Sequence, residues 1–93
     1  FVAYLRAKGA ADDAIRARTT LDWTVVRPGM LTDDPGSGTV TIAESTGHER
    51  IPRADVAAVL VAVLDTPETA GVTFELISGD TAIADAVAKL ARH

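Results

Sequence analysis

A β-branched run, Trp23-Thr24-Val25-Val26-Arg27, is cut off by Pro28-Gly29. A second run of the same kind occupies residues 72–78, and between them lies an uncharged aliphatic stretch at 56–64. Proline has no N–H for a further ladder bond, so the first run ends there as a strand. The aliphatic stretch is too long for a strand and apolar on nearly every side, which predicts a largely buried helix. Strand, helix and strand in that order form a crossover unit, whose two strands run parallel with a right-handed connection.

The remaining elements are placed around this unit. Residues 1 to about 18 hold no proline, are rich in Ala, Arg and Asp, and space Phe1, Leu5, Ala11 and Ile15 as a helix would. Gly9 is its weak point, costing about 1 kcal/mol against alanine. Thr32-Asp33-Asp34-Pro35-Gly36-Ser37-Gly38 is a turn-rich surface loop. Val40-Thr41-Ile42 alternates, Glu49-Arg50-Ile51-Pro52 is extended, and Ser45-Thr46-Gly47-His48 between them suggests a small hairpin. Asp55 is the expected N-cap of the central helix. A last helix is predicted over 82–92, with Ile83, Val87 and Leu90 inward, Asp80 or Thr81 as cap, and Lys89, Arg92 and His93 at its negative end. The predicted order is helix, strand, small hairpin, helix, strand, helix in one domain spanning 1–93. Two strands offer too little sheet for three apolar helices, so further structure is expected to cover them.

Composition removes several classes of function. A formal charge of −4 gives no electrostatic footprint for nucleic acid or an anionic membrane. The absence of cysteine excludes disulfides, thiolate metal sites and thiol nucleophiles. No apolar run approaches the ~20 residues needed to span a bilayer, and the first residues carry no signal-peptide pattern, so a cytoplasmic protein is expected. The chain starts with Phe rather than Met, as a fragment or a processed product would.

Two groups of residues carry potential chemistry. Tyr4 and Lys8 stand four apart, hence on one face of the expected first helix. Alone, this spacing is a weak signal that any partly solvated helix produces. Read functionally, the ammonium would help the phenol exchange a proton with a carbonyl or alcohol. Arg27-Pro28-Gly29 follows a buried strand, and ligands of open parallel sheets bind beyond the carboxyl ends of strands. There the missing donor and missing side chain would let a flat ring approach the backbone, although Pro-Gly also simply ends strands. His48 and His93 are isolated, Asp33-Asp34 reads as a solvated turn, Trp23 as packing, and Arg53 with Asp55 as a cap and local ion pair.

Four segments taken together, Tyr4-Leu5-Arg6-Ala7-Lys8, Leu21-Asp22-Trp23-Thr24-Val25-Val26-Arg27-Pro28-Gly29-Met30-Leu31-Thr32, Ile51-Pro52-Arg53-Ala54-Asp55-Val56-Ala57 and Thr73-Phe74-Glu75-Leu76-Ile77-Ser78-Gly79, resemble the second half of atypical short-chain dehydrogenases. These are the NAD(P)H-binding, sugar-epimerase-like group. The resemblance implies the carboxy-terminal part of a Rossmann-type, doubly wound parallel sheet. It implies that Tyr4 is the acid/base and Lys8 the ribose-binding partner, with Pro28, Gly29 and Met30 beside the nicotinamide of NAD(P), NADP being the favoured form.

The chain has no G-x-x-G-x-x-G, and Gly36-Ser37-Gly38 is no substitute because neither a strand precedes it nor a helix follows it. The chain alone is therefore expected to bind cofactor weakly and to be inactive. A small-molecule substrate belongs to the complete protein, and a missing amino-terminal half or self-association would cover the sheet. The alternative function is an NAD(P)H-sensing regulator that binds a partner protein without chemistry.

Overall fold

The computed structural model describes residues 2–6 and 23–91. In chain order the elements are β1 (Ala3–Arg6), β2 (Trp23–Pro28), β3 (Met30–Thr32), β4 (Thr39–Ala43) and β5 (Arg50–Pro52), followed by α1 (Arg53–Leu64). A single 3-10 turn, Pro67–Thr69, then leads to β6 (Thr73–Ser78), β7 (Thr81–Ala82) and α2 (Ile83–Leu90). Five strands form a mixed sheet in the order β1-β2-β6-β4-β7, and β3 pairs with β5 in a separate two-stranded sheet.

The expected parallel pair is at the centre. β2 runs parallel to β6, with Val26 opposite Phe74 and Arg27 opposite Glu75. Strand side chains alternate between faces, so Val26, Phe74, Leu76 and Val40 turn to one side, where they join Val56, Val59 and Val63 of α1 and Ala86 and Val87 of α2 in a single core. The start of β2 is fastened by a buried bond, the Thr24 hydroxyl donating to the Thr69 carbonyl at 3.0 Å. Among the described residues no helix is long and apolar enough to cross a membrane.

The structure departs from the sequence reading at several points. Residues 3–6 are a strand rather than helix, pairing antiparallel with β2 so that Tyr4 lies opposite Val25. The edge of β2 away from β6 offers unpaired backbone groups, and satisfying them outweighs a loose helical spacing. The rest of the first expected helix, Lys8 included, lies outside the described residues.

The small hairpin does not form either. β4 pairs with β6 and β7, and β5 runs parallel to β3. Period-two alternation shows that a segment is extended but not which strand it joins. Here, burying Val40 and Ile51 completely decides the partners.

α1 begins at Arg53, with extended Pro52 in the capping position and Asp55 inside the first turn. The expected cap is therefore displaced, although an acidic group there still suits the positive end of the helix dipole. Nor is α1 buried all round. Val56, Val59 and Val63 face the core, while Val61 and Leu64 are exposed, because the helix has the sheet on one side only. α2 is capped by Ala82, with no side-chain bond, and Thr81 is spent in β7. Its inward face agrees with expectation, since Val87 is buried and Ile83 and Leu90 pack against the core.

Candidate functional site

The carboxyl end of β2 opens onto a cleft of about 560 Å³ lined by Val2, Arg27, Pro28, Gly29, Met30, Gly47, His48 and Glu75. Three of the residues singled out in the sequence, Pro28, Gly29 and Met30, are thus together on one wall. They arrive there because the backbone leaves one sheet for the other at this point. The Gly29 N–H donates to the Leu76 carbonyl at 2.9 Å, closing the β2–β6 ladder, and the Met30 N–H donates to the Glu49 carbonyl at 3.0 Å, opening the β3–β5 ladder.

The absence of a side chain at Gly29 has a structural cause. A Cβ there would stand 2.0 Å from the Glu49 carbonyl oxygen and 3.1 Å from Cγ2 of Ile77. Glycine is needed so that β5 can approach, and its missing side chain points at β5 as much as it frees the cleft. Met30 is 59% exposed and forms the outer part of the wall.

Tyr4 stands elsewhere. It is 65% exposed and in register with Val25. Cross-strand partners share a face, so Tyr4 lies on the same side of the sheet as Arg27 and Glu75, but one residue pair along, roughly 7 Å of strand away. It is absent from the cleft lining. Lys8, its expected partner, falls outside the described residues.

The remaining wall includes Arg27, at the head of the Arg27-Pro28-Gly29 stretch, and Gly47, His48 and Glu75, which carried no site role in the sequence. Arg27 and Glu75 are neighbours across the parallel pair, and the loop between β4 and β5 brings Gly47 and His48 into the same cleft as Pro28 and Met30. The Thr46 N–H donates to Oε1 of Glu75 at 2.8 Å. That bond is the chief reason the Glu75 carboxyl is held below the ordinary carboxylate range. Desolvation opposes it, while the Gly47 N–H and the nearby charges of His48 and Arg27 add to it. A trace of this wall was present in the sequence as a lone acidic residue in an otherwise uncharged strand, Thr73-Phe74-Glu75-Leu76-Ile77-Ser78.

A second carboxylate organises the loop before β4. Asp55 is only 2% exposed, yet burial, which pushes its carboxyl up, is outweighed by donors from Gly38 and Ser37, and the group sits below its ordinary value. Its Oδ2 accepts the Ser37 N–H and hydroxyl at 3.1 Å each, and Oδ1 accepts the Gly38 N–H at 2.9 Å. The Arg53–Asp33 ion pair beside it, at 3.1 Å, is largely solvated and contributes little.

Residues 1–67 match the family model described as NAD(P)H-binding. A protein of Bacillus subtilis (strain 168), described as the uncharacterised sugar epimerase YhfK, is 42% identical over 87 residues, covering 94% of this chain and 40% of the relative. Among solved structures, a Bacillus halodurans protein described as an NAD-dependent epimerase/dehydratase superimposes with a TM-score of 0.72 at 40% identity, over 77% of this chain and 35% of the other. The oxidoreductase ylbE from Lactococcus lactis gives 0.69 at 27% identity, over 75% and 32%. The chain thus spans 40% of the curated relative's length and about a third of the solved ones.

Proposed function

Because this chain belongs to the NAD(P)H-binding family, with relatives of the epimerase/dehydratase and oxidoreductase kind, we propose that its cleft receives the nicotinamide side of the cofactor and a small-molecule substrate. The resemblance to atypical short-chain dehydrogenases and the Rossmann-like α/β fold are shown by the same matches. The observation that carries the finer reading is the cleft itself. Pro28, Gly29 and Met30 line it at the carboxyl end of a parallel strand, the position at which open α/β sheets bind ligands.

The residues fit one end of a dinucleotide. The cleft is of ligand size, and its Pro28–Met30 wall includes no acidic side chain. The cofactor's pyrophosphate has no glycine loop to receive it, since the sequence lacks G-x-x-G-x-x-G. When bound, the nicotinamide would exchange hydride with the substrate, and this chain would orient the ring and the substrate beside it. In the whole protein Tyr4 is the acid/base and Lys8 holds the ribose, with NADP the favoured cofactor in a cytoplasmic setting. For this chain alone we propose no turnover, the apolar outer side of α1 being covered in the longer protein by its remaining portion.

Two experiments test the reading. NADPH added to the 93-residue chain should bind no tighter than millimolar, and micromolar binding would refute the need for a glycine loop. In a protein of the relatives' full length, Tyr4→Phe should abolish turnover while sparing cofactor affinity. A second reading, a cofactor sensor without chemistry, is favoured by the position of Tyr4 outside the cleft lining. Unchanged behaviour of Tyr4→Phe, with affinity for NADPH and no turnover on carbonyl or sugar substrates, would establish the sensor instead.

A further inference from the structure

Glu75 is the one charged residue of β6, and what its carboxylate does is unexpected for a half-exposed group. Arg27 lies directly across the ladder, yet among the described residues the ion pair that forms is Arg53 with Asp33, not Arg27 with Glu75. The Glu75 carboxylate is turned instead to a loop 29 residues away in sequence, where Oε1 accepts the Thr46 N–H at 2.8 Å. That loop, residues 44–49, joins β4 to β5 and is tied at its far end, where the Glu49 carbonyl accepts the Met30 N–H. Ser45, Gly47 and His48 are exposed, and Gly47 sits at φ +83° with open space where a Cβ would be. Gly47 and His48 nevertheless line the cleft together with Pro28 and Met30. A carboxylate gripping backbone N–H groups is among the stronger hydrogen-bonded arrangements available to a surface loop.

We infer that Glu75 is a positioning residue whose carboxylate latches loop 44–49 in place as the outer wall of the cleft, setting ligand affinity through Gly47 and His48. Its relevance to binding rests on the nicotinamide-side reading of the cleft, whereas the latch itself does not. Arg27 supports the arrangement by favouring the charged carboxylate without competing for Oε1.

The test compares three variants of the full 93-residue chain. Glu75→Ala removes the acceptor, Glu75→Gln retains a neutral one, and Thr24→Val removes the buried bond to Thr69 at the far end of β2. Amide hydrogen exchange at Thr46 and Gly47 reads the latch directly. Shifts of the Gly29, Met30, Gly47 and His48 amides during titration with reduced nicotinamide mononucleotide read the cleft. Glu75→Ala should speed exchange at Thr46 and Gly47 about tenfold and weaken nucleotide binding severalfold, with Glu75→Gln recovering most of both. Thr24→Val should lower the melting temperature and leave both readouts unchanged. Wild-type exchange rates in Glu75→Ala would overturn the latch, and an affinity loss that Thr24→Val reproduces would overturn its role in ligand binding. If the nucleotide shifts nothing in the wild type, the cleft reading falls, and the exchange rates still decide the latch.

Discussion

The Gly38 N–H donates to the Asp55 carboxylate at 2.9 Å, so that a residue in the first turn of α1 fastens the loop that leads into β4. Ser37 adds two further donors to the same carboxylate. Removing the acceptor leaves three donors to find water beside a buried site, and such losses cost about 1–3 kcal/mol. Asp55→Ala should therefore lower stability by about that amount in urea melts, while Asp55→Asn, which keeps one acceptor oxygen, should lose less. Equal stability of wild type and Asp55→Ala would show that the loop does not depend on this contact.

The same bonds fix a pH dependence. Asp55 titrates below its ordinary value of 3.8 in the folded chain. A depressed folded pKa means that the unfolded chain takes up the proton first, so the stability it contributes is complete above 3.8 and is lost as pH falls through the folded value. Glu75, also lowered, from 4.5, acts in the same direction. Melting temperature should hold steady above about pH 5.5 on account of these two groups and decline below about 4.5. The decline should be shallower in Asp55→Asn, with Glu75 supplying what remains. An equally steep acid decline in Asp55→Asn would remove Asp55 from the account.

Gly29 is fixed by a neighbour rather than by its own dihedral angle. A Cβ would meet the Glu49 carbonyl oxygen at 2.0 Å, and that oxygen is the acceptor for the Met30 N–H. Gly29→Ala must push β5 away from the β2–β3 junction, breaking that bond and misplacing Met30. Overpacking of this kind costs about 1–3 kcal/mol. Circular dichroism melts should show the loss, with amide exchange quickening first at Met30 and Ile51. Retention of wild-type stability would mean that the junction relaxes without opening the β3–β5 pair.

What is legible in the sequence follows a physical division. The β2–α1–β6 unit is readable because its runs are aliphatic or β-branched, of the right length, and punctuated by Pro28 and Gly71. That Pro28 and Gly29 line a cleft is readable because strand ends in parallel sheets open onto such positions, whereas Met30 is suggested only by the family resemblance. Partner choice is not readable. Nothing local in Val40-Thr41-Ile42 says that it pairs with β6 instead of β5, since pairing is settled by which arrangement buries Val40 and Ile51. For the same reason Gly47, His48 and Glu75 carry no site signal, and they meet Arg27 only once the β2–β6 register and the loop are in place. Residues 3–6 are strand rather than helix because an open ladder edge competes with local spacing.

Two valines two residues apart on α1 separate the inner from the outer side of that helix. Val59 is fully buried and Val61 is 60% exposed. Deleting the two γ-methyls of Val59 removes buried apolar area and leaves a cavity between α1 and the sheet, a loss of about 1.5–3 kcal/mol. The same deletion at Val61 removes surface that water already reaches, and the higher helix propensity of alanine offsets part of what is lost. Urea melts of Val59→Ala and Val61→Ala should therefore differ by at least about 1 kcal/mol, with Val61→Ala within about 0.5 of wild type. Comparable losses at both positions, especially if the Val61→Ala effect grows with protein concentration, would mean that the outer side of α1 is covered in solution.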